Sequence, residues 1–166
     1  MITLASATAT SSAPPSAFFA RWCDHDTWQE WSPDTSWVRL DGPVAQGTTG
    51  TLKPTGGPRT RFTMSAVVPD SEYTDTSSLL GARLVFQHTA RTAHADTAHT
   101  DTAHTDTRTA GTGAAATATP GTSVTVLTVL VTLDDPLARL WAAVMGKGFR
   151  ESVPADLQRL ITIVEG

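Results

Sequence analysis

Residues 123–145 read SVTVLTVLVTLDDPLARLWAAVM, and this stretch decides the fold class. Its first half, 123–133, is the strongest strand pattern in the chain and is apolar on both faces over part of its length. Such a pattern predicts a strand that is covered on both sides or lies at the centre of a sheet. Asp134 and Asp135 then precede Pro136, which predicts a helix start with a carboxylate cap and a proline where no backbone donor is needed.

A long C-terminal helix is predicted after this point. Apolar residues recur at helical spacing from Leu137 to Val164. Pro154 lies inside the pattern and cannot donate a hydrogen bond to the carbonyl of Arg150. We therefore expect a kink or a break at Pro154 rather than one straight helix.

Upstream of this stretch, short strand patterns alternate with turns. In residues 61–68, Phe62 and Met64 share one face while Arg61 and Thr63 share the other. Short strands joined by tight turns predict an antiparallel meander. The predicted strands are 2–10, 35–40, 48–53, 61–68, 72–77 and 83–89, with 123–133 as the last.

Two short helices are predicted between the first and second strands. Pro14 and Pro15 end the first strand and suit a first helical turn, with Ser11 or Ser12 as its cap. A second short helix carries two tryptophans and ends at Pro33.

Residues from about 91 to 120 differ in composition from the rest of the chain. They contain the five-residue repeat TAHADTAHTDTAHTDT and no large apolar side chains, so we interpret them as a low-complexity loop inserted in one domain, 1–166. His94, His99 and His104 suggest a metal site. However, five residues advance about 140° around a helix, and an odd step reverses the face of a strand. We therefore predict no dedicated metal site in the repeat.

Composition excludes several classes of protein. The chain has 166 residues, 40% of them hydrophobic and 17% charged, with a formal net charge of −4. No basic cluster points to nucleic acid, and no run approaches the roughly 20 apolar residues of a membrane span. Cys23 is the single cysteine, which excludes an internal disulfide. The first residues lack the basic and apolar regions of a signal peptide, so we predict a cytoplasmic location.

Four stretches carry a resemblance to a known family. They are PPSAFFARWCDHDTWQEWSPD, LDGPVAQGTTGTLKPTGGPRTRFT, LLGARLVFQH and DDPLARLWAAVMGKGFRESVPADLQRL. In their order, their tryptophans and the P-L-x-x-L-W helix start, they resemble bacterial members of the START/polyketide cyclase (SRPBCC) superfamily. The resemblance implies an α+β helix-grip fold: a curved antiparallel sheet of about seven strands around a long C-terminal helix, with two short helices after the first strand.

The resemblance also implies a cavity between the sheet and the helix, but it leaves the function open. One hypothesis is a module that binds a small hydrophobic or lipid-like molecule. The alternatives are an enzyme of the polyketide cyclase or dehydratase type, and a partner-binding protein with a vestigial cavity. No metal or redox cofactor is implied.

The predicted ligand-binding residues are mostly aromatic, because such cavities have apolar walls with a few polar groups. His88 is the best polar candidate, since it shares a strand face with Leu84 and Phe86 and could bind a ligand oxygen or transfer protons. Each of these residues could instead simply fill the core. No catalytic residue is assigned, and Cys23 is interpreted as a small hydrophobic residue. The full set is Trp28, Trp31, Phe62, Met64, Tyr73, Phe86, His88, Trp141 and Met145.

Overall fold

The computed structural model describes residues 1–94 and 123–166, which form one curved, open antiparallel sheet with helices on one side. This confirms the predicted α+β class, the seven strands, the short helices after the first strand and the long C-terminal helix. A single turn of 3-10 helix over His25–Thr27 precedes the second helix. The strands are β1 (Ile2–Ser11), β2 (Thr35–Leu40), β3 (Thr49–Pro54), β4 (Thr60–Val68), β5 (Glu72–Leu79), β6 (Ala82–His94) and β7 (Ser123–Asp134), and the helices are α1 (Pro15–Cys23), α2 (Trp28–Trp31) and α3 (Ala138–Glu165).

The strand order is β1-β7-β6-β5-β4-β3-β2. Strands β2 to β7 form a meander, and β1 returns to pair with β7. Because β7 has a neighbour on each side, it is an internal strand, as its apolar pattern predicted.

Strand β6 is longer than predicted. Its pairing with β7 runs from Arg83 opposite Asp134 to His94 opposite Ser123, so residues 91–94 belong to the sheet and not to the predicted loop. The predictions for the rest of the insertion, including His99 and His104, fall outside the described residues.

Helix α3 packs across the sheet and is continuous through Pro154. The predicted break is therefore wrong, while the alternative outcome, a kink, stays a prediction. Pro154 and Arg150 both lie on the exposed side of the helix, where an Arg150 carbonyl without its usual helical partner costs less than it would in the core. The opposite stripe of the helix enters the core through Val153, Leu157, Leu160 and Ile161.

The start of α3 also differs from the prediction, since neither aspartate caps it. Asp135 instead binds Arg83, with 2.8 Å between Oδ2 and Nε, and Asp134 lies 2.9 Å from the amino terminus of Met1. The Leu137 N–H donates to the Gly81 carbonyl at 3.0 Å. These contacts tie the helix start to the β5–β6 turn and to the edge strand.

The far end of the helix is tied to β1. Ser11 and Ser12 do not cap α1, which begins after Pro14 without a side-chain cap. Ser11 Oγ donates to Glu165 Oε1 at 2.6 Å, and the Ser12 N–H donates to the same oxygen at 2.9 Å. Both ends of α3 are thus held against the sheet. Within residues 1–94 and 123–166, no helix has the length and apolar character needed to cross a bilayer.

Candidate ligand-binding cavity

A cavity of about 390 Å³ lies between the sheet and α3, with α2 at one end. This volume falls in the range of small-molecule sites, roughly 300–1,000 Å³. The walls are mainly apolar. They are formed by Trp28, Trp31, Trp141, Met145, Phe149, Val153, Leu157 and Leu160 from the helices and by Leu52, Leu79, Leu84, Phe86 and Val129 from the strands.

Strand alternation places the sheet residues that line the cavity. On β6, Leu84, Phe86 and His88 face inward, because residues two apart share a face. On β5 the corresponding residues are Asp75, Ser77 and Leu79. Asp75 pairs with Phe86, and Ser77 pairs with Leu84.

Six of the nine predicted ligand-binding residues line the cavity: Trp28, Trp31, Phe86, His88, Trp141 and Met145. The other three, Phe62, Met64 and Tyr73, are buried but do not line it. The Phe62 ring fills the space above Gly50, where an added Cβ would lie 2.5 Å from the ring.

Tyr73 lies at the end of β5 that is covered by the short helices. Its hydroxyl is hydrogen-bonded to His25 Nε2 at 2.9 Å, and the Trp28 ring is 5.8 Å away between centroids. The hydroxyl is therefore bonded to His25 and does not line the cavity. Burial raises the pKa of Tyr73 above its usual range, so it stays protonated.

His88 contributes an imidazole side chain to the cavity wall, and the residue is 5% exposed. The rings of Trp22, Trp31 and Tyr73 surround it at 5.6, 6.2 and 6.1 Å between centroids. Its Nδ1 has no hydrogen-bond partner among the described residues. Burial lowers the pKa of His88 to about 4, so the ring is neutral at pH 7 and adds no positive charge.

Asp75 is a lining residue that the sequence analysis missed. It is 6% exposed, and within the described ranges its carboxyl group has neither a hydrogen bond nor an ion pair. Burial raises the pKa of Asp75 to about 7, because the charged form loses hydration and gains nothing in return. The available signal was alternation, which puts Asp75 on the same strand face as Tyr73 and Ser77.

Two further carboxyl groups line the cavity. Asp156 lies on the inward stripe of α3 and accepts a hydrogen bond from Arg159 Nη1 at 2.9 Å. Burial raises the pKa of Asp156 to about 6, although Ser32 and Arg159 act in the opposite direction. Asp34 is exposed, at the connection between α2 and β2.

The cavity approaches solvent beside α3. A shallower depression of about 250 Å³ shares Asp34, Met145, Phe149 and Ser152 with the cavity and also includes Val144, which is 67% exposed. We take this side as the entrance.

Cys23 and Arg61 lie away from this site. Arg61 is exposed, as expected from its strand face, and pairs with Asp41 at 2.8 Å. Cys23 is partly buried on α1 and does not line the cavity. Burial first, and then the charge of Asp70, raises the pKa of its thiol, which disfavours the nucleophilic thiolate.

No protein-family model and no curated protein matches this sequence. Solved structures do match. A protein from Mesorhizobium loti is similar over 96% of both chains, with 16% identity and a TM-score of 0.55. A protein from Helicobacter pylori has a TM-score of 0.62 at 9% identity, over 96% of this chain and 86% of that one.

A third similar structure is DynU16, a protein in the dynemicin biosynthetic locus. It matches with 16% identity and a TM-score of 0.56, over 97% of this chain but only 46% of its own. At these identities the likenesses define the fold alone. Together with the topology, they define a helix-grip-like α+β protein that has a cavity between its sheet and its terminal helix.

Proposed function

We propose that the chain is a START-like (SRPBCC) module that binds a small hydrophobic molecule in this cavity. The observation that carries the proposal is the largely apolar cavity of about 390 Å³, held open between the sheet and α3. A site that simply completed the core would be packed to normal interior density and would leave no such volume. The single-domain organisation of 1–166 and the cytoplasmic location stay predictions.

Aromatic walls would supply most of the affinity. Burying apolar ligand surface contributes about 25 cal/mol per Å², from which the cost of ordering the ligand must be subtracted. Trp28, Trp31, Phe86, Trp141 and Phe149 give flat surfaces for a ring or a chain. Polar groups at Asp75 and His88 would set the orientation of the ligand.

Mass spectrometry of the purified protein, first native and then denatured, tests this proposal. We expect a hydrophobic molecule bound in a one-to-one ratio. Met145→Trp should block the cavity because Met145 lines both the cavity and its entrance. Leu140→Trp is the matched control, since Leu140 is 60% exposed on the same helix and does not line the cavity. Equal ligand occupancy in the two variants would contradict binding in this cavity.

A second candidate function is an enzyme of the cyclase or dehydratase type. It is favoured by Asp75 and His88, which lie on one sheet face as diagonal neighbours, with Cα atoms roughly 7–8 Å apart. A carboxyl group with a pKa of about 7 is suited to proton transfer near neutral pH. It could remove a proton from a carbon next to a carbonyl, which is the first step of an aldol closure.

Deuterium exchange into benzoylacetone, followed by NMR, tests this second function. The protein should accelerate exchange over buffer, and Asp75→Asn should abolish the acceleration while Leu140→Trp keeps it. Exchange at the buffer rate would leave binding as the function of the cavity. The third reading, a partner-binding domain with a vestigial cavity, has less support because the cavity is not collapsed.

A further inference from the structure

The ionisable groups that line the cavity are all acidic or neutral. Asp34, Asp75 and Asp156 contribute three carboxyl groups, and His88 is a neutral imidazole. In the described part of the chain, no lysine or arginine lines the cavity. A ligand with a carboxylate, phosphate or sulfonate group would find no cation there and would be repelled.

Within residues 1–94 and 123–166, Asp75 is the buried carboxyl group of the cavity that lacks a partner. Asp156 already accepts a hydrogen bond from Arg159, and Asp34 is exposed to water. Asp75 is almost fully buried, and none of the described residues pairs with it. Buried carboxylates in proteins are normally paired or hydrogen-bonded, and because Asp75 lines the cavity, a donor group on a ligand can supply that partner.

The aromatic walls favour the same kind of ligand. Trp28 and Trp31 from α2, Trp141 and Phe149 from α3, and Phe86 from β6 all line the cavity. Aromatic faces attract cations, and the attraction grows when the cation is removed from water.

We propose that the ligand of this cavity is a hydrophobic amine, whose ammonium group pairs with Asp75 while its apolar part lies against the aromatic walls. This inference rests on the proposed binding function and names its ligand class. Binding is non-covalent. An amine that enters as its ammonium form displaces the carboxyl proton of Asp75 to solvent, and a neutral amine takes that proton directly.

The proton linkage gives the affinity a pH dependence. The titratable groups that surround Asp75 are Tyr73 on its own strand, His88 on β6, Asp156 on α3 and Asp34 beside α2. Tyr73 and His88 stay neutral between about pH 6 and pH 8, since burial raises the pKa of Tyr73 and lowers that of His88. With the pKa of Asp75 at about 7, its ionisation should raise amine affinity about tenfold over this interval, and the ionisation of Asp156, whose pKa is about 6, adds a smaller rise at the lower end.

Three ligands of one shape test the inference: phenylbutylamine, phenylbutanol and phenylbutanoic acid, titrated by calorimetry at about pH 7.5. The amine should bind roughly tenfold more tightly than the alcohol, because a hydrogen bond to a charged partner is stronger than a neutral one. The acid should bind most weakly. Asp75→Asn should remove the amine preference and most of its pH dependence, leaving the smaller part that Asp156 contributes near pH 6. Glu151→Gln, which removes an exposed carboxylate elsewhere on α3, should preserve both.

The outcomes separate the two proposals. If the alcohol binds as tightly as the amine, or the acid binds most tightly, the amine inference is wrong while hydrophobic binding stands. If Glu151→Gln removes the preference as fully as Asp75→Asn does, general surface charge explains it and the inference is again wrong. If none of the three binds, both proposals fail. The pH dependence of the wild-type protein is a second test that requires no variant to fold.

Discussion

Asp75→Asn should change how the stability of the protein depends on pH. Burial holds the pKa of Asp75 at about 7 in the folded chain, against an ordinary value of 3.8. Between these values the folded state binds more protons than the unfolded state, so stability falls as pH rises. The penalty is absent below about pH 4 and complete above about pH 8.

The size of this effect follows from the two pKa values. At 1.36 kcal/mol per pKa unit, a rise from 3.8 to about 7 corresponds to about 4 kcal/mol. This is a large fraction of the 5–15 kcal/mol by which domains are typically stable. Asparagine has nearly the same shape as aspartate and does not titrate, so the free energy of unfolding of the variant should not fall in this way as pH rises. Its buried amide adds an offset of roughly 1–3 kcal/mol that does not vary with pH.

Urea unfolding followed by tryptophan fluorescence measures the effect. The free energy of unfolding is compared for the two proteins at about pH 5 and about pH 8.5. The penalty on the wild type is already partly present at pH 5, so the variant should gain roughly 2.5–3 kcal/mol on the wild type between them. Asp41→Asn is the control. Thr49 and then Arg61 lower the pKa of the exposed Asp41, so its contribution is lost only in acid and is constant over this interval. A difference between wild type and Asp75→Asn that stays the same at both pH values would refute the reasoning.

Two other predictions concern stability. Burial lowers the pKa of His88 from 6.5 to about 4, so the contribution of His88 to wild-type stability should fall by about 3 kcal/mol as pH falls between these values, opposite in sign to the contribution of Asp75. His88→Gln should lack this loss in urea unfolding, and parallel acid profiles would contradict it. Gly81→Ala should lower the melting temperature, because φ is +66° and the new Cβ would lie 2.7 Å from Leu137 Cδ1. Gly148→Ala, in open space on α3, should raise stability by up to about 1 kcal/mol, and equal effects of the two alanines would contradict both the backbone strain at Gly81 and its contact with Leu137.

Local patterns in the sequence were sufficient for the elements and their order. The change of period at Asp134 separates β7 from α3, and β2 spans 35–40 as predicted. Alternation on β6 also placed Phe86 and His88 on the cavity wall. These predictions succeed because the periodicity of a strand or a helix is set by residues that are close together in the sequence.

Where a residue could interact with several possible partners, the sequence did not predict which interaction forms in the folded protein. Asp135 could cap a helix, but tertiary structure brings Arg83 to it and the ion pair forms instead. Pro154 predicts a kink or a break, but the helix continues through it at a position on the exposed side of α3, where an unpaired carbonyl costs less than in the core. In both cases the outcome depends on what lies nearby in space.

The composition of the cavity was decided by tertiary structure alone. In the sequence, Asp75 resembles any other polar strand residue. Only in the fold, where β5 pairs with β6 and the cavity forms between the sheet and α3, is it buried near His88. Tyr73 is two residues away on the same strand, but the turn before α2 brings His25 to its hydroxyl and removes it from the cavity. The sequence by itself determined the sheet, the helices and a largely apolar interior. Which polar groups face the cavity was determined by packing between elements that are distant in the chain, because burial and partners are properties of the folded state.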